Sequence, residues 1–296
     1  MIFRHQHKLL SFQGGIMKKV LKVVGLLILV AIAAGGIYLW QSYQSFMKVE
    51  TIQYDPQLTI YLGGGNSVVL TSEDGTAALV VDTKMRGAAE TLREKVTAED
   101  IIIVNTHDHF DHVGGNPLYP PAKIIAGKYS KKQWQEDAGK ASRYPDITIK
   151  TGDEKVLKIG SETVHIYNTG RAHTFNDVVV YFENRKLLVT GDLVFNNMHP
   201  AVLPKSGTKV ASWISVLDAL SKKYSIKTLV PGHGPVADQN ALVVMKEYFV
   251  AVGDAIGNKE KKKKLEEKYK NYVTFPGMFS VSNTMKFIEQ ERKETR

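Results

Sequence analysis

An α/β fold, with one large domain carried behind an apolar N-terminal segment, follows from three features of this 296-residue sequence. Short runs rich in Val, Ile and Leu alternate with segments of helical periodicity. A strand, a helix and a further strand follow one another up to residue 104, the succession from which layered α/β domains are built. The composition, 43% apolar and 23% charged, is that of an ordinary globular chain long enough to bury a large core.

Taken in order, the chain begins with residues 1–16, which fit no plan, because a signal-type segment normally starts close to its basic region. The string "QGGI" before Met17 can be encoded by a purine-rich stretch resembling a bacterial ribosome-binding site, so Met17 is the expected start and residues 1–16 an upstream leader outside the translated chain. Lys18, Lys19 and Lys22 then precede an uncharged stretch, residues 23–40. A helix needs about 20 residues to cross a bilayer core, and this stretch is near the lower end. The lysines put its N-terminal side in the cytoplasm, and Tyr38, Trp40 and Tyr43 fall where an aromatic belt would sit. The expectation is a transmembrane anchor over residues 17–43, with residues 44–296 as an extracytoplasmic domain of a bacterial membrane protein. A cleaved signal peptide is the alternative, since Ala31-Ile32-Ala33 has the small-x-small pattern; either reading exports the rest of the chain.

In the body, "LTIYLGGGNSVVLTSEDGTAALVVDT" reads as short strands broken by Gly63-Gly64-Gly65 and by the turn Glu73-Asp74-Gly75, with Asp82 ending the last strand. Residues 88–96 carry helix formers, and 101–104 form a buried-type strand. A helix is expected near residues 129–138, followed by two hairpin-like stretches, "VLKIGSETVHIYN" and "DVVVYFENRKLLVTGD". Val210, Trp213, Ile214, Leu217 and Leu220 recur at helical spacing before the strand "TLVPGHG", and a long helical tail begins near Asn240. No internal repeat is visible.

The net charge of +9 could suggest nucleic acid or a membrane surface, but the excess sits in local clusters near the two ends and says little about substrate. The run "KEKKKKLEEKYK" at residues 259–270 is expected to be a solvated helix face, with contact to anionic headgroups as the lesser reading. Cysteine is absent, which excludes disulfides, Cys-based zinc sites and a thiol nucleophile. Any metal must be held by histidines and carboxylates.

Such residues are concentrated in one place. In "NTHDHFDHVGGN", following the strand 101–104, His107 and His109 can point the same way while Asp111 and His112 follow on the turn, so one segment can serve two adjacent metal ions. Three further candidates stand at or just after strand ends, where sites of layered α/β proteins assemble: His173 in "TGRAHTFND", Asp192 in "VTGD" and His233 in "PGHG". Five of the nine histidines fall in these motifs. Singly, His233 beside glycines would be a turn residue and Asp192 a helix cap; jointly and in this order they point to a metal site. His165 reads as a plain strand residue, and Asn197 and His199 as loop residues that can line a pocket.

Through "HDHFDH", His173, Gly191-Asp192 and "GHG", the sequence resembles the metallo-β-lactamase-fold hydrolases over residues 52–236. The resemblance implies a four-layer αββα sandwich with a two-zinc site at one edge. Carried over by position, His107, His109 and His173 would hold the first zinc, Asp111, His112 and His233 the second, and Asp192 would bridge them. Asp82 matches the aspartate that orients a metal-bound histidine from behind. The implied function is hydrolysis of an ester, thioester, lactone or amide in a small-molecule substrate by a metal-bound hydroxide, with Asp111 and Asp192 as the catalytic carboxylates and no protein nucleophile.

Departures within the family narrow this. The zinc β-lactamases carry Cys or Ser where Asp192 stands, which argues against antibiotic hydrolysis as the main activity. The segment between Asp192 and His233 is too short for the large insertion of the nucleic-acid-cleaving branch, so no nucleic-acid partner is expected. Glyoxalase II shares the metal residues, yet its basic substrate-binding residues have no clear match in "LVFNNMHPAV"; that stretch looks closer to exported hydrolases found near quinoprotein and sulfur-oxidation systems. The rival readings are an iron-dependent persulfide dioxygenase, which uses only two histidines and an aspartate, and a non-catalytic membrane-anchored metal-binding domain.

Overall fold

The computed structural model describes residues 2–273 and 279–294, with side chains from residue 22 onward except those of residues 23 and 46. Two units divide the chain, residues 1–46 and 47–296. Helix α1 (Ile2–Met47) makes up nearly all of the first. Its apolar span, Val24–Ser45, is long enough to cross a bilayer, a property that a signal sequence shares. Leu26, Leu29, Ile32 and Trp40 on this span are exposed. The span runs past residue 43, the expected end of the anchor, because Gln44 and Ser45 are uncharged and remain helical.

The second unit is built on two sheets. In the first, β1 (Glu50–Gln53), β2 (Leu58–Leu62), β3 (Ser67–Thr71), β4 (Ala77–Val81), β5 (Asp100–Val104), β6 (Lys123–Gly127) and β7 (Ile147–Ile149) lie side by side in chain order. Pairing is antiparallel as far as β4 and parallel from β4 to β7. Parallel neighbours need a crossover, and α2 (Ala88–Lys95), the single turn α3 (Phe110–Val113) and α4 (Lys131–Asp137) lie within those crossovers. The second sheet, in the order β12-β11-β10-β9-β8, comprises β8 (Glu154–Ile159), β9 (Glu162–Gly170), β10 (Asp177–Phe182), β11 (Leu187–Phe195) and β12 (Thr228–His233). Its two hairpins fall where the sequence predicts them, and α5 (Val210–Lys223) carries the chain across to the parallel partner β12. The helical tail consists of α6 (Asn240–Asp254), α7 (Lys259–Lys268) and α8 (Val281–Glu294).

Strand alternation decides the layering. Ile60, Val68, Leu70, Leu79 and Val81 of the first sheet face Val164, Ile166, Val178, Val180 and Phe182 of the second in one apolar cluster. The intervening residues point outward: Val69, Val80 and Ile103 pack with Leu92 of α2, and Val179, Tyr181 and Leu188 join a cluster with Trp213 of α5, Phe249 of α6 and Ile288 of α8. The result is the expected αββα sandwich.

Two elements differ from expectation in their bounds. The helix expected from Tyr129 begins at Lys131, because the Ser130 side chain accepts from the Gln133 backbone N–H while the Gln133 side chain accepts from that of Ser130. Asp192 does not follow its strand; it lies within β11, beyond a ladder irregularity at Gly191, whose φ is 53°. His165 is a strand residue as expected, its ring between Glu154 (3.4 Å) and Glu183 (3.1 Å). Phe182 is fully buried between the sheets. Phe182→Ala is expected to lower unfolding stability by about 3–5 kcal/mol, read as a drop in urea midpoint at unchanged slope.

Candidate metal centre

The His and Asp residues that the sequence marks as candidate ligands come together, and a buried carboxylate organises their approach. The chain leaves β4 at Asp82 with φ of 58°. There Asp82 Oδ1 accepts from the Thr106 backbone N–H (2.8 Å), and Oδ2 accepts from the Thr106 hydroxyl (2.7 Å). Oδ2 also lies 2.8 Å from His112 Nδ1, so this ring donates through Nδ1, and Nε2 is the nitrogen that would meet an ion. Because the Thr106 hydrogen is committed to Asp82, the 3.0 Å contact between Thr106 Oγ1 and His107 Nδ1 has the ring as donor, which frees His107 Nε2 as well. Asp82 thus sets the tautomer of two histidines, one directly and one through Thr106.

Two sets of side-chain atoms converge. In the first, His109 Nδ1 lies 3.0 Å from both His107 Nε2 and His173 Nε2, and these atoms with an Asp192 oxygen all fall within 4.8 Å of one another. The second joins Asp111, His112 and His233, with His233 Nε2 3.1 Å from Asp111 Oδ2. Asp192 touches both: Oδ2 is 3.4 Å from His173 Nε2 and 3.8 Å from His107 Nε2, while Oδ1 is 3.1 Å from His112 Nε2 and 3.4 Å from His233 Nε2. Gly232 makes room for this carboxylate, since a Cβ there would stand 1.9 Å from Asp192 Oδ1.

The two sets differ in charge. Burial holds His107 well below its ordinary pKa and brings His173 down to about 3, with the charge of His112 adding to the effect at both, so these rings are neutral. Burial acts the same way on His112 and His233, but the Asp192 and Asp111 carboxylates overcome it, raising His112 well above its ordinary value and His233 to about 9. Asp111 falls to about 2, its burial outweighed by the charge of His112 and the bond to His233. Three neutral ring nitrogens meeting at 3.0 Å repel through their lone pairs unless a proton or cation lies among them. Imidazole and carboxylate donors of this kind suit a divalent cation of zinc's type.

Several supporting residues carry no motif and were not singled out by the sequence. Lys84 is fully buried, and its Nζ donates to the carbonyls of Tyr61 (2.8 Å), Gly63 (2.7 Å) and Gly65 (2.6 Å), drawing the triple-glycine turn against the site. Asn66 ties the same turn to the His233 loop by donating to Pro231 O (2.9 Å) and Gly234 O (2.8 Å). Trp213 donates to Leu193 O (3.0 Å) and packs its ring on His173 at 5.2 Å. A triple glycine followed by Asn is the only trace of this arrangement in the sequence. Asn197 and His199 lie in the loop after β11, outside both converging sets; His199 Nδ1 is 2.9 Å from the Tyr248 hydroxyl, and Val273 donates to Asn197 O.

Gly65 and Gly75 separate backbone strain from crowding at the site. Both have left-handed φ (78° and 76°), but a Cβ on Gly65 would stand 2.0 Å from Asp111 O, whereas one on Gly75 meets nothing within 4 Å. Gly75→Ala is expected to cost only the backbone term, about 1–2 kcal/mol. Gly65→Ala should cost more and also weaken metal uptake at the Asp111, His112 and His233 set, as read by denaturant melts and metal titration of both variants.

Comparison with known proteins agrees with this geometry. Residues 60–233 match the family described as the metallo-beta-lactamase superfamily. Among curated relatives, the metallo-beta-lactamase type 2 of Elizabethkingia meningoseptica is 25% identical over 60% of this chain and 72% of its own length. That of Bacillus cereus is 27% identical over 51% of this chain, and the chain spans little more than half (57%) of that relative. A hydroxyacylglutathione hydrolase of Pelagibacter ubique is 33% identical over 32% of the chain and 36% of its own length. In fold, the chain is similar to a solved metallo-beta-lactamase from Pontibacter korlensis (TM-score 0.58, 22% identity, 68% of this chain and 98% of that one). It is also similar to a stereoselective inverting sec-alkylsulfatase from a Pseudomonas species (TM-score 0.62, 16% identity, 85% and 51%). With its sandwich, its ordered His and Asp motifs and a family match over more than half its length, this chain belongs to the metallo-beta-lactamase superfamily.

Proposed function

We propose that this protein is an exported, membrane-anchored hydrolase that holds two zinc ions and opens an ester, thioester, lactone or amide bond in a small-molecule substrate. The observation that carries this reading is Asp192, which presents one carboxylate oxygen to each of two converging ligand sets. His107, His109 and His173 would hold one ion, Asp111, His112 and His233 the other, and Asp192 both. Bound there, the two ions would supply a hydroxide near neutral pH and polarise the substrate carbonyl.

The side chains do the rest. Asp82 keeps Nε2 of His112 and of His107 aimed inward. Asp111 has a side chain 13% exposed, which lets it accept or orient a proton from an attacking water at the rim. One Asp192 oxygen faces each ligand set, so its negative charge would offset the repulsion between two cations held there. A full complement of seven ligand side chains favours this reading over an iron dioxygenase, which needs three, and over a binding domain that has lost ligands.

The substrate class rests on the relatives and on one residue. The curated relatives include hydrolases named for a β-lactam and for a glutathione thioester, and Asp192 occupies the position where zinc β-lactamases carry Cys or Ser, which favours a non-lactam acyl compound. The anchor reading is supported by the exposed apolar span Val24–Ser45, and the lysines before it favour a domain on the extracytoplasmic side.

The purified chain is expected to contain close to two zinc ions, with activity lost to chelators and restored by zinc. Asp192→Ala should lose the second ion and more than about 100-fold in turnover, while His199→Ala should keep both ions and alter mainly KM. An Asp192→Ala protein retaining two tightly bound ions and near-normal rates would refute the bridging role.

Membrane fractions should retain the protein through an alkaline carbonate wash. Release of a soluble form beginning near Ala34 would show instead that the segment is cleaved.

A further inference from the structure

Asp108 stands between two ligand histidines in the sequence yet belongs to neither ligand set. It is fully buried, and neither of its carboxylate oxygens accepts a hydrogen bond from a described residue. His109 shows the complementary deficit. Its Nδ1 faces His107 and His173, while its Nε2 is buried and also lacks a partner among the described residues. A ring nitrogen of His109 and carboxylate oxygens of Asp108 and Asp137 all lie within 4.8 Å of one another.

By composition this trio could be a third metal site, but imidazole chemistry argues otherwise. A neutral ring carries one N–H, and with the Nδ1 lone pair turned toward the first ligand set the hydrogen must sit on Nε2. A nitrogen bearing hydrogen donates a hydrogen bond; it does not ligate. The two nearby carboxyl groups each offer at least one oxygen that can accept it, and a small side-chain rotation or one bridging water spans the remaining distance.

We infer that Asp108 and Asp137 are positioning residues for His109, receiving its Nε2–H and so fixing the ring plane and tautomer that present Nδ1 to the first metal. This rests on the metal reading proposed above. The second carboxylate comes from α4, which is held rigidly: Trp134 is fully buried against Tyr129 and Ala126, and the Ser130 cap fixes where the helix starts. Helix α4 then acts as a strut that reaches the metal centre from the layer outside the first sheet, as Asp82 does from the end of β4.

The test uses the full chain and resolves the two metals separately, by chelator competition and by the spectrum of the cobalt(II) form. Asp137 is half-buried on a helix, so Asp137→Ala is expected to fold normally. It should weaken the metal at His107, His109 and His173 by about 10- to 100-fold while leaving the Asp111, His112 and His233 metal unchanged. Asp137→Asn, which keeps an acceptor, should restore part of the loss, and Asp108→Asn should weaken the same metal. Unchanged affinity of both metals in the Asp137 and Asp108 variants overturns the inference, as does a third bound equivalent that these variants lose. Failure of the wild-type chain to take up two ions is a different result and overturns the metal reading along with it.

Discussion

The short bond between the buried Asp82 carboxylate and His112, extended to His107 through Thr106, is the interaction on which the centre depends. A histidine can ligate only through the nitrogen that lacks a hydrogen, and which nitrogen that is depends on what the other one donates to. Asp82 settles this for one ring in each ligand set. It is itself satisfied by a backbone amide and a hydroxyl, so the charge is buried without being left bare. Its left-handed backbone turns the side chain back toward the site at the moment the chain leaves β4.

Everything around the centre resists its tendency to spread apart. Neutral rings with opposed lone pairs and two acidic side chains at close range repel one another, and the surrounding structure has to overcome that repulsion. The inter-sheet core supplies most of the stabilisation, since burying a large aliphatic or aromatic side chain contributes about 1.5–3 kcal/mol. Polar ties supply the precision. Lys84 spends all three of its donors on carbonyls, one at Tyr61 of β2 and two in the glycine turn beside Asp111 and His112, an arrangement that keeps a fully buried ammonium satisfied. Asn66 clamps that turn to the His233 loop, and Asn105, Asn116 and Thr83 link their side chains beneath the histidine-rich segment.

The same logic explains why the glycines cluster near the centre. Gly65 and Gly232 lie so close to Asp111 and Asp192 that a single methyl group would displace the segments that carry them. The motif glycines are thus part of the site's geometry, and the aromatic rings of Phe195 and Trp213 pack the remaining sides of His233 and His173.

Much of this was legible in the sequence. The strand and helix runs, the αββα layering implied by the family resemblance, and the ordered His and Asp motifs were all visible, because a period of two or of 3.6 residues and a dense ligand spacing are local properties. Asp82 was recognisable because it ends an apolar strand. What sequence could not show is which distant atoms share one small volume. Lys84 reads as an ordinary loop lysine until three carbonyls from β2 and the β2–β3 turn are seen around it, and Asp137 reads as a solvated helix residue until α4 is packed against the first sheet. The types of the converging residues, their order and the strands that carry them are local to the chain and readable from it; which nitrogen of each ring faces inward emerges only on folding, because that choice is made by partners far away along the chain.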